Sequence, residues 1–356
     1  MIPALFLSII GAAHVYIFRV IASAFPQYSL PAGIGVAALF SSLIIAIALE
    51  RRGYLRLSLP FSYLGYGWLG LAYLWFNTAI FVDVLGLFLA DLTQKSQFYW
   101  SATPALAFAL IGYAGARSAR IATVALTSPK APEKDLRILQ LSDLHLGDSS
   151  SLPHVKRIVR TVNALKPDII VSTGDLFDGY LDMMQPYVET LKTLDAPLGK
   201  FAVSGNHEVY AGLEPALRLT AASGFTVLRN QSLDIGEGLS IAGIDDPASH
   251  TDESYSEAER STFRSVSIDR YVVFLNHRPS IRENTLQHFD LQLSGHTHGG
   301  QIFPFIFLTK IAYKAKIGLS EIASNTYLYL SRGTGSWGPQ LRLLAPTEIT
   351  LFEISR

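Results

Sequence analysis

Leu136-Arg137-Ile138-Leu139-Gln140-Leu141-Ser142-Asp143-Leu144-His145 joins an apolar, β-prone run to two metal-capable side chains. Leu136–Leu141 reads as a strand, and Asp143 and His145 stand just past its end. Alternate side chains of an extended chain share one side, so this spacing predicts that both grip one ion. The pattern recurs along the chain. Asp168–Thr173 runs into Gly174-Asp175, where the glycine permits a tight turn that leaves the carboxylate at its tip. Phe201–Ser204 leads to Gly205-Asn206-His207-Glu208, Tyr271–Asn276 to His277, and Leu291–Ser294 to Gly295-His296-Thr297-His298-Gly299-Gly300. Each motif alone is weak, because a polar residue after a strand is usually turn chemistry. Together they place five of the chain's nine histidines at strand ends.

Further strand candidates are Leu239–Ile244, Thr326–Ser331 and Glu348–Ile354, and Leu152–Leu165 carries apolar residues at helical spacing. Strands alternating with helices predict a layered α/β domain. Ligands in open α/β sheets gather where strands end, so several loops can converge on one site.

The 356 residues carry no net charge, are 49% hydrophobic and only 16% charged, and include no cysteine. That length suits two domains. Soluble chains are about 25% charged, and the deficit here sits in the first third. Zero net charge argues against a nucleic-acid binder with a basic footprint. Without cysteine there are no disulfides or thiolate ligands, so a metal must be held by His, Asp, Glu or Asn.

Four apolar stretches precede residue 120: Ile2–Phe25, Leu30–Leu49, Leu57–Ala90 and Ser96–Ala116. Each reaches the about 20 helical residues that a hydrocarbon core requires. A cleavable signal peptide would have a basic start and one short apolar core, and neither is seen. Residues 1–122 are therefore expected to form an all-α polytopic membrane domain, followed by a linker at 123–134 around Pro129 and Pro132 and a catalytic domain at 135–356. Arg51, Arg52 and Arg56 fall on the same side as Arg117, Arg120, Lys130 and Lys134, opposite the Pro26–Pro31 and Asp91–Lys95 loops. The positive-inside rule then puts the catalytic domain on the cytoplasmic face of the inner membrane, with Arg19 the one dissenting charge. His14 and Asp83 are read as structural or interfacial groups, and the spans as an anchor.

Asp143-x-His145, Gly174-Asp175, Gly205-Asn206-His207-Glu208, His277 and Gly295-His296-x-His298 occur in the order of the motif series of calcineurin-like metallophosphoesterases, which residues 136–356 resemble. The flanks of Gly295–Gln301 resemble a subgroup of bacterial membrane-associated members. The resemblance implies a four-layer sandwich of two mixed β-sheets flanked by helices, with two divalent ions at the strand ends. It implies that Asp143, His145 and His298 hold one ion, that Asn206, His277 and His296 hold the other, and that Asp175 bridges them. Mixed oxygen and imidazole ligands suit Mn, Fe or Zn better than Mg or Ca. Bridging hydroxide would attack phosphorus in line. His207 would stabilise phosphoryl charge or protonate the leaving oxygen, oriented by Asp178. Many members carry Arg after that Asp; this chain has Gly179, and Arg278 is either a substitute phosphate contact or a surface residue.

Asp245-Asp246-Pro247 reads as turn chemistry. Ile302–Leu319, apolar and aromatic with Lys310, Lys314 and Lys316, is either a basic amphipathic segment lying on the bilayer or a buried connection. The expected function is hydrolysis of a phosphate ester, phosphodiester or pyrophosphate, with a lipid-linked substrate and a soluble phosphodiester both open. The partners are then the phosphorylated substrate and the lipid bilayer. A non-catalytic receptor or scaffold retaining the fold is the alternative from another class, and it should have lost ligands that are all present here. A transporter with a regulatory phosphoesterase domain should show more polar residues in its spans.

Overall fold

A computed structural model describes residues 2–88, 92–147, 150–236, 238–267 and 269–356. Asp91, which opens the Asp91–Lys95 loop, lies outside the described residues, as does the Leu89–Ala90 end of the third expected span. The chain separates into two compact units, Met1–Ala114 with Gly338–Leu343, and Gly115–Trp337 with Leu344–Arg356.

The first unit is helical: α1 (Ile2–Ala24), α2 (Ser29–Glu50), α3 (Leu55–Gly86) and α4 (Gln94–Ala116). Three of the four are long and apolar enough to cross a membrane, within Leu7–Ala24, Pro26–Glu50 and Leu55–Gly86. The α4 stretch does not reach that hydropathy, because Tyr99, Trp100, Ser101, Thr103 and Pro104 dilute its apolar residues. Small residues let α2 and α3 pack closely; a Cβ on Gly65 would stand 2.9 Å from the Leu43 backbone nitrogen. His14 has a partner on each ring nitrogen, the Ile10 carbonyl at 2.7 Å and the Trp68 indole N–H at 2.9 Å. Asp83 accepts from Tyr16 and Gln97. Both polar groups are thus satisfied within the helical unit. The segment Gly338–Leu343, assigned from sequence to the catalytic domain, belongs to this unit: the Arg342 N–H donates to the Gly112 carbonyl at 2.8 Å, and Leu341 packs on Gly70.

The second unit holds two six-stranded mixed sheets. In chain order the strands are β1 (Arg120–Thr127), β2 (Leu136–Leu141), β3 (Ile169–Ser172), β4 (Lys200–Ala202), β5 (Thr226–Val227), β6 (Gln231–Gly236), β7 (Leu239–Gly243), β8 (Tyr271–Leu275), β9 (Leu291–Ser294), β10 (Gly318–Ala323), β11 (Thr326–Leu330) and β12 (Glu348–Ser355). The helices are α5 (Leu152–Ala164), α6 (Gln185–Lys192), α7 (Asn206–Ala222), α8 (Asp252–Phe263) and α9 (Ile306–Ala312). One sheet runs β1-β12-β2-β3-β4-β5 and the other β10-β11-β9-β8-β7-β6. Ile138, Val171, Ile241, Val273, Leu293 and Phe352 fill the space between the sheets. Leu139, Leu141 and Ile170 pack outward on α5 and α6, while Val272 and Phe274 pack on α8. The layers are therefore helix, sheet, sheet, helix.

The expected linker at 123–134 is corrected in part. Thr123–Thr127 belongs to β1, which pairs in parallel with β12 over eight residues, from Arg120↔Glu348 to Thr127↔Ser355. This edge strand is largely exposed, and its short apolar stretch Ile121–Leu126 follows directly on the last helix, so local pattern alone did not separate it from a linker. Strands β2, β3 and β4 are mutually parallel, as are β7, β8 and β9. Each parallel set presents its carboxyl ends at one edge, and the motif loops start there.

Candidate metal centre

The loops after β2, β3, β4, β8 and β9 bring all seven expected ligand positions together. His145 Nε2 and His298 Nε2 face each other at 2.9 Å, with Asp143 Oδ1 3.5 Å from the latter. His277 Nε2 lies 3.2 Å from Asn206 Oδ1 and 3.2 Å from His296 Nδ1. Between the two groups sits Asp175, whose Oδ2 is 3.6 Å from His145 Nε2 and 3.2 Å from His277 Nε2. Asp143/His145/His298 and Asp175/His277/His296 each converge their donor atoms within 4.8 Å, close enough to share an ion. His145, Asp175 and His207 form a third such group, in which His207 keeps Nδ1 on Asp178 at 2.8 Å.

The donor chemistry fits divalent cations. Asp143, Asp175 and His277 are buried, and the two imidazole nitrogens that face each other at 2.9 Å can be bridged either by one proton or by a cation. Burial opposes charge on His277, but the Asp175 and Asp143 carboxylates overcome it and push the imidazole up to about 10. Burial and the nearby positive charge of His277 and Arg278 drive His296 down to about 3. The carboxylates thus call for positive charge that the histidines cannot all supply.

One local expectation is corrected. Asp143 and His145 do not share a side by extended alternation; their φ values are +53° and +46°. His296 and His298 likewise have φ of +71° and +52°, and Asp175 +53°. Left-handed backbone at residues other than glycine costs on the order of 1–3 kcal/mol each and persists where surroundings over-determine it. Those surroundings are visible here: Asp143 N–H donates to the Gly174 carbonyl at 3.1 Å, and His296 N–H to Asp143 Oδ1 at 2.9 Å. Gly174, at φ +92°, lies so close to its neighbours that a Cβ would meet His277 Nδ1 at 2.7 Å.

Asp178 spans two imidazoles, 2.8 Å from His207 Nδ1 and 3.2 Å from His145 Nδ1. Burial alone would raise its carboxyl, but these two hydrogen bonds hold it well below the ordinary carboxylate range. Burial also works against charge on His207, and Asp178 and Asp175 outweigh it, raising the imidazole. Tyr210 and Trp337, both exposed, stand with ring centroids 5.5 Å from His207 at the outer side.

Sequence reasoning gave no role to Glu208. Its Oε1 accepts the backbone N–H groups of Leu176 at 2.6 Å and Phe177 at 3.0 Å, and its Oε2 those of Gly205 at 2.7 Å and Asp175 at 3.0 Å. Its place three residues after the cap of α7 is a capping-box spacing, a signal that could have found it. Tyr313 was also missed; its hydroxyl is 2.6 Å from His296 Nε2, and nothing in local spacing announces that contact. Arg278 is neither a plain surface residue nor free in the site: it forks onto Asp246 at 2.9 and 3.0 Å. Asp245 accepts from Ser204 and Arg229, so the Asp245-Asp246 pair is structural.

The model of the calcineurin-like phosphoesterase family matches residues 136–300. An uncharacterized metallophosphoesterase of Aquifex aeolicus is 36% identical over 239 residues, covering 66% of this chain and 91% of that protein. A zebrafish (Danio rerio) transmembrane protein with metallophosphoesterase domain is 30% identical over 249 residues, covering 66% of this chain and 57% of its own length. Among solved structures, a dimetal phosphatase from Danio rerio aligns with a TM-score of 0.35, at 14% identity over 57% of this chain and 88% of that one. The chain belongs to the calcineurin-like phosphoesterase family. Its class is that of a metal-dependent phosphoesterase, with Asp/His clusters suited to two divalent ions.

Proposed function

We propose that this chain is a membrane-anchored dinuclear phosphoesterase in which Asp143, His145 and His298 hold one ion, Asn206, His277 and His296 the other, and Asp175 both. The observation that carries this reading is the position of Asp175 Oδ2 between His145 Nε2 and His277 Nε2. Bound divalent ions supply the Lewis acidity that activates water and neutralises phosphoryl oxygens. The protein supplies placement and a proton. Asp178 holds the proton of His207 on Nδ1, so Nε2 is the atom left to face substrate. When charged, that imidazole stabilises the phosphoryl group and protonates the leaving oxygen.

The helical unit serves as the anchor in this reading, and with α4 crossing alongside the three more apolar helices the basic residues after α2 and α4 share one side, which supports a cytoplasmic catalytic unit. A reporter fused after Arg356 should be active only there; activity on the outer face reverses the orientation. A lipid-linked phosphate ester or pyrophosphate is favoured over a soluble nucleotide, because exposed Tyr210 and Trp337 give the outer side of His207 an apolar border.

The test uses the full chain in detergent, stripped with chelator and reloaded with Mn, Zn or Mg. Generic monoester and diester substrates come first, then a phospholipid in mixed micelles against a nucleotide diester. Metal-dependent turnover that Asp175→Asn abolishes supports the site. Turnover and two bound ions in that variant sink it, and a preference for the nucleotide removes the lipid substrate alone.

A further inference from the structure

Ile302–Leu319 is not a buried connection. Within nine residues it exposes five large apolar side chains: Phe303 at 39%, Phe305 at 45%, Phe307 and Leu308 at 56%, and Ile311 at 80%. Such a patch marks an interaction surface, since single exposed apolar residues are ordinary but clusters are not. Lys310, Lys314 and Lys316 are exposed beside it. Residues 302–320 contain no acidic side chain, and none of the three lysines pairs with a carboxylate among the described residues. The inner side of the same segment is fastened to the last metal loop. A Cβ on Gly300 would stand 2.4 Å from Ile306 Cα, Ile317 approaches Gly299, and the Tyr313 hydroxyl meets His296 Nε2 at 2.6 Å.

We infer that Phe303–Leu319 is a membrane-seated lip of the metal centre, with its apolar side chains in the acyl boundary and its lysines on anionic phospholipid headgroups. The inference rests on the membrane-anchored reading above. An apolar face flanked only by cations matches an anionic bilayer, in which lysine stems can lie along the apolar layer and their ammonium groups reach phosphate. Because Tyr313 and Gly300 tie the lip to His296 and its loop, seating it sets the metal centre at headgroup level. That is where a lipid-linked phosphate lies.

The absence of cysteine makes single-cysteine spin labelling direct. The full chain is reconstituted in nanodiscs of phosphatidylcholine, with or without phosphatidylglycerol, and labelled at Ile311→Cys, at Ile44→Cys in α2, or at exposed Arg264→Cys beyond α8. Collision with oxygen and with a water-soluble nickel chelate reads the surroundings of each label. The Ile311 label should show an oxygen-to-nickel ratio several-fold above the Arg264 label, rising further with phosphatidylglycerol. Replacing the three lysines with Gln should abolish that rise, and a rise that persists overturns their role. An Ile311 label as aqueous as Arg264, with Ile44 reading as lipid, overturns the lip and leaves the anchor standing. A label shielded from both reagents means a protein partner or second copy covers the patch, which also overturns it. An aqueous Ile44 label defeats the anchor, and the lip with it.

Discussion

Replacing Glu208 with Gln should loosen the metal centre although Glu208 touches neither ion position. Two of its four incoming N–H groups reach each carboxylate oxygen. The residue is buried, so water cannot take over. Gln keeps one oxygen and turns an NH2 group toward the other pair of donors. Two hydrogen bonds to a charged group are lost, at about 1.5–3 kcal/mol each, for a total of about 3–6 kcal/mol. Set against a typical total stability of about 5–15 kcal/mol, this is a large share. For a unit of this size it corresponds to roughly 6–24 °C in the apparent unfolding midpoint. The same bonds tie the Asp175 loop to the Gly205-Asn206 turn, so affinity should fall most for the ion shared by Asp175, Asn206, His277 and His296. Tryptophan fluorescence during heating in detergent reads the first effect, and metal titration the second. A variant that melts within a degree or two of the parent and binds both ions normally would refute the reasoning.

Asp178→Asn should reduce kcat by about 10²–10⁴-fold with little change in KM, because an amide cannot accept from both His207 and His145; steady-state kinetics within a few-fold of the parent would contradict this. Tyr313→Phe should weaken binding of the ion on His296 by about 10–100-fold, read by chelator competition, since the hydroxyl that holds the imidazole is gone. His298→Ala should retain one ion per chain by elemental analysis and lose nearly all turnover, and two retained ions would remove His298 from the site. Gly65→Ala should destabilise the helical unit by about 1–3 kcal/mol through overpacking against Leu43, whereas Gly67→Ala, with open space around it, should not; equal melting of the two variants would speak against that close contact.

The interior strands and the residues at their ends could be read from sequence because their signals are local. Leu136–Leu141 and Leu291–Ser294 are apolar runs bounded by turn residues, and they form strands with those limits. The motif series from Asp143 to His298 identified the family, since residue types and order alone carry it. Membrane-length helices were legible for the same reason: apolarity over a window needs no partner. Tertiary structure decided what depends on distant partners. Strand β1 forms by pairing with β12, a partner more than two hundred residues away that its short stretch of sequence does not announce. The left-handed backbone of Asp143, His145, His296 and His298 is imposed by neighbouring loops, so their side chains converge by a geometry other than the extended alternation expected from spacing. Glu208 is a clamp only where two loops meet, and Tyr313 reaches His296 only because α9 folds back over its loop. Membership of Gly338–Leu343 in the helical unit rests on contacts with Gly70 and Gly112, more than two hundred positions earlier in the chain. Local pattern specifies what a segment can become, and long-range packing selects which of its groups face one another.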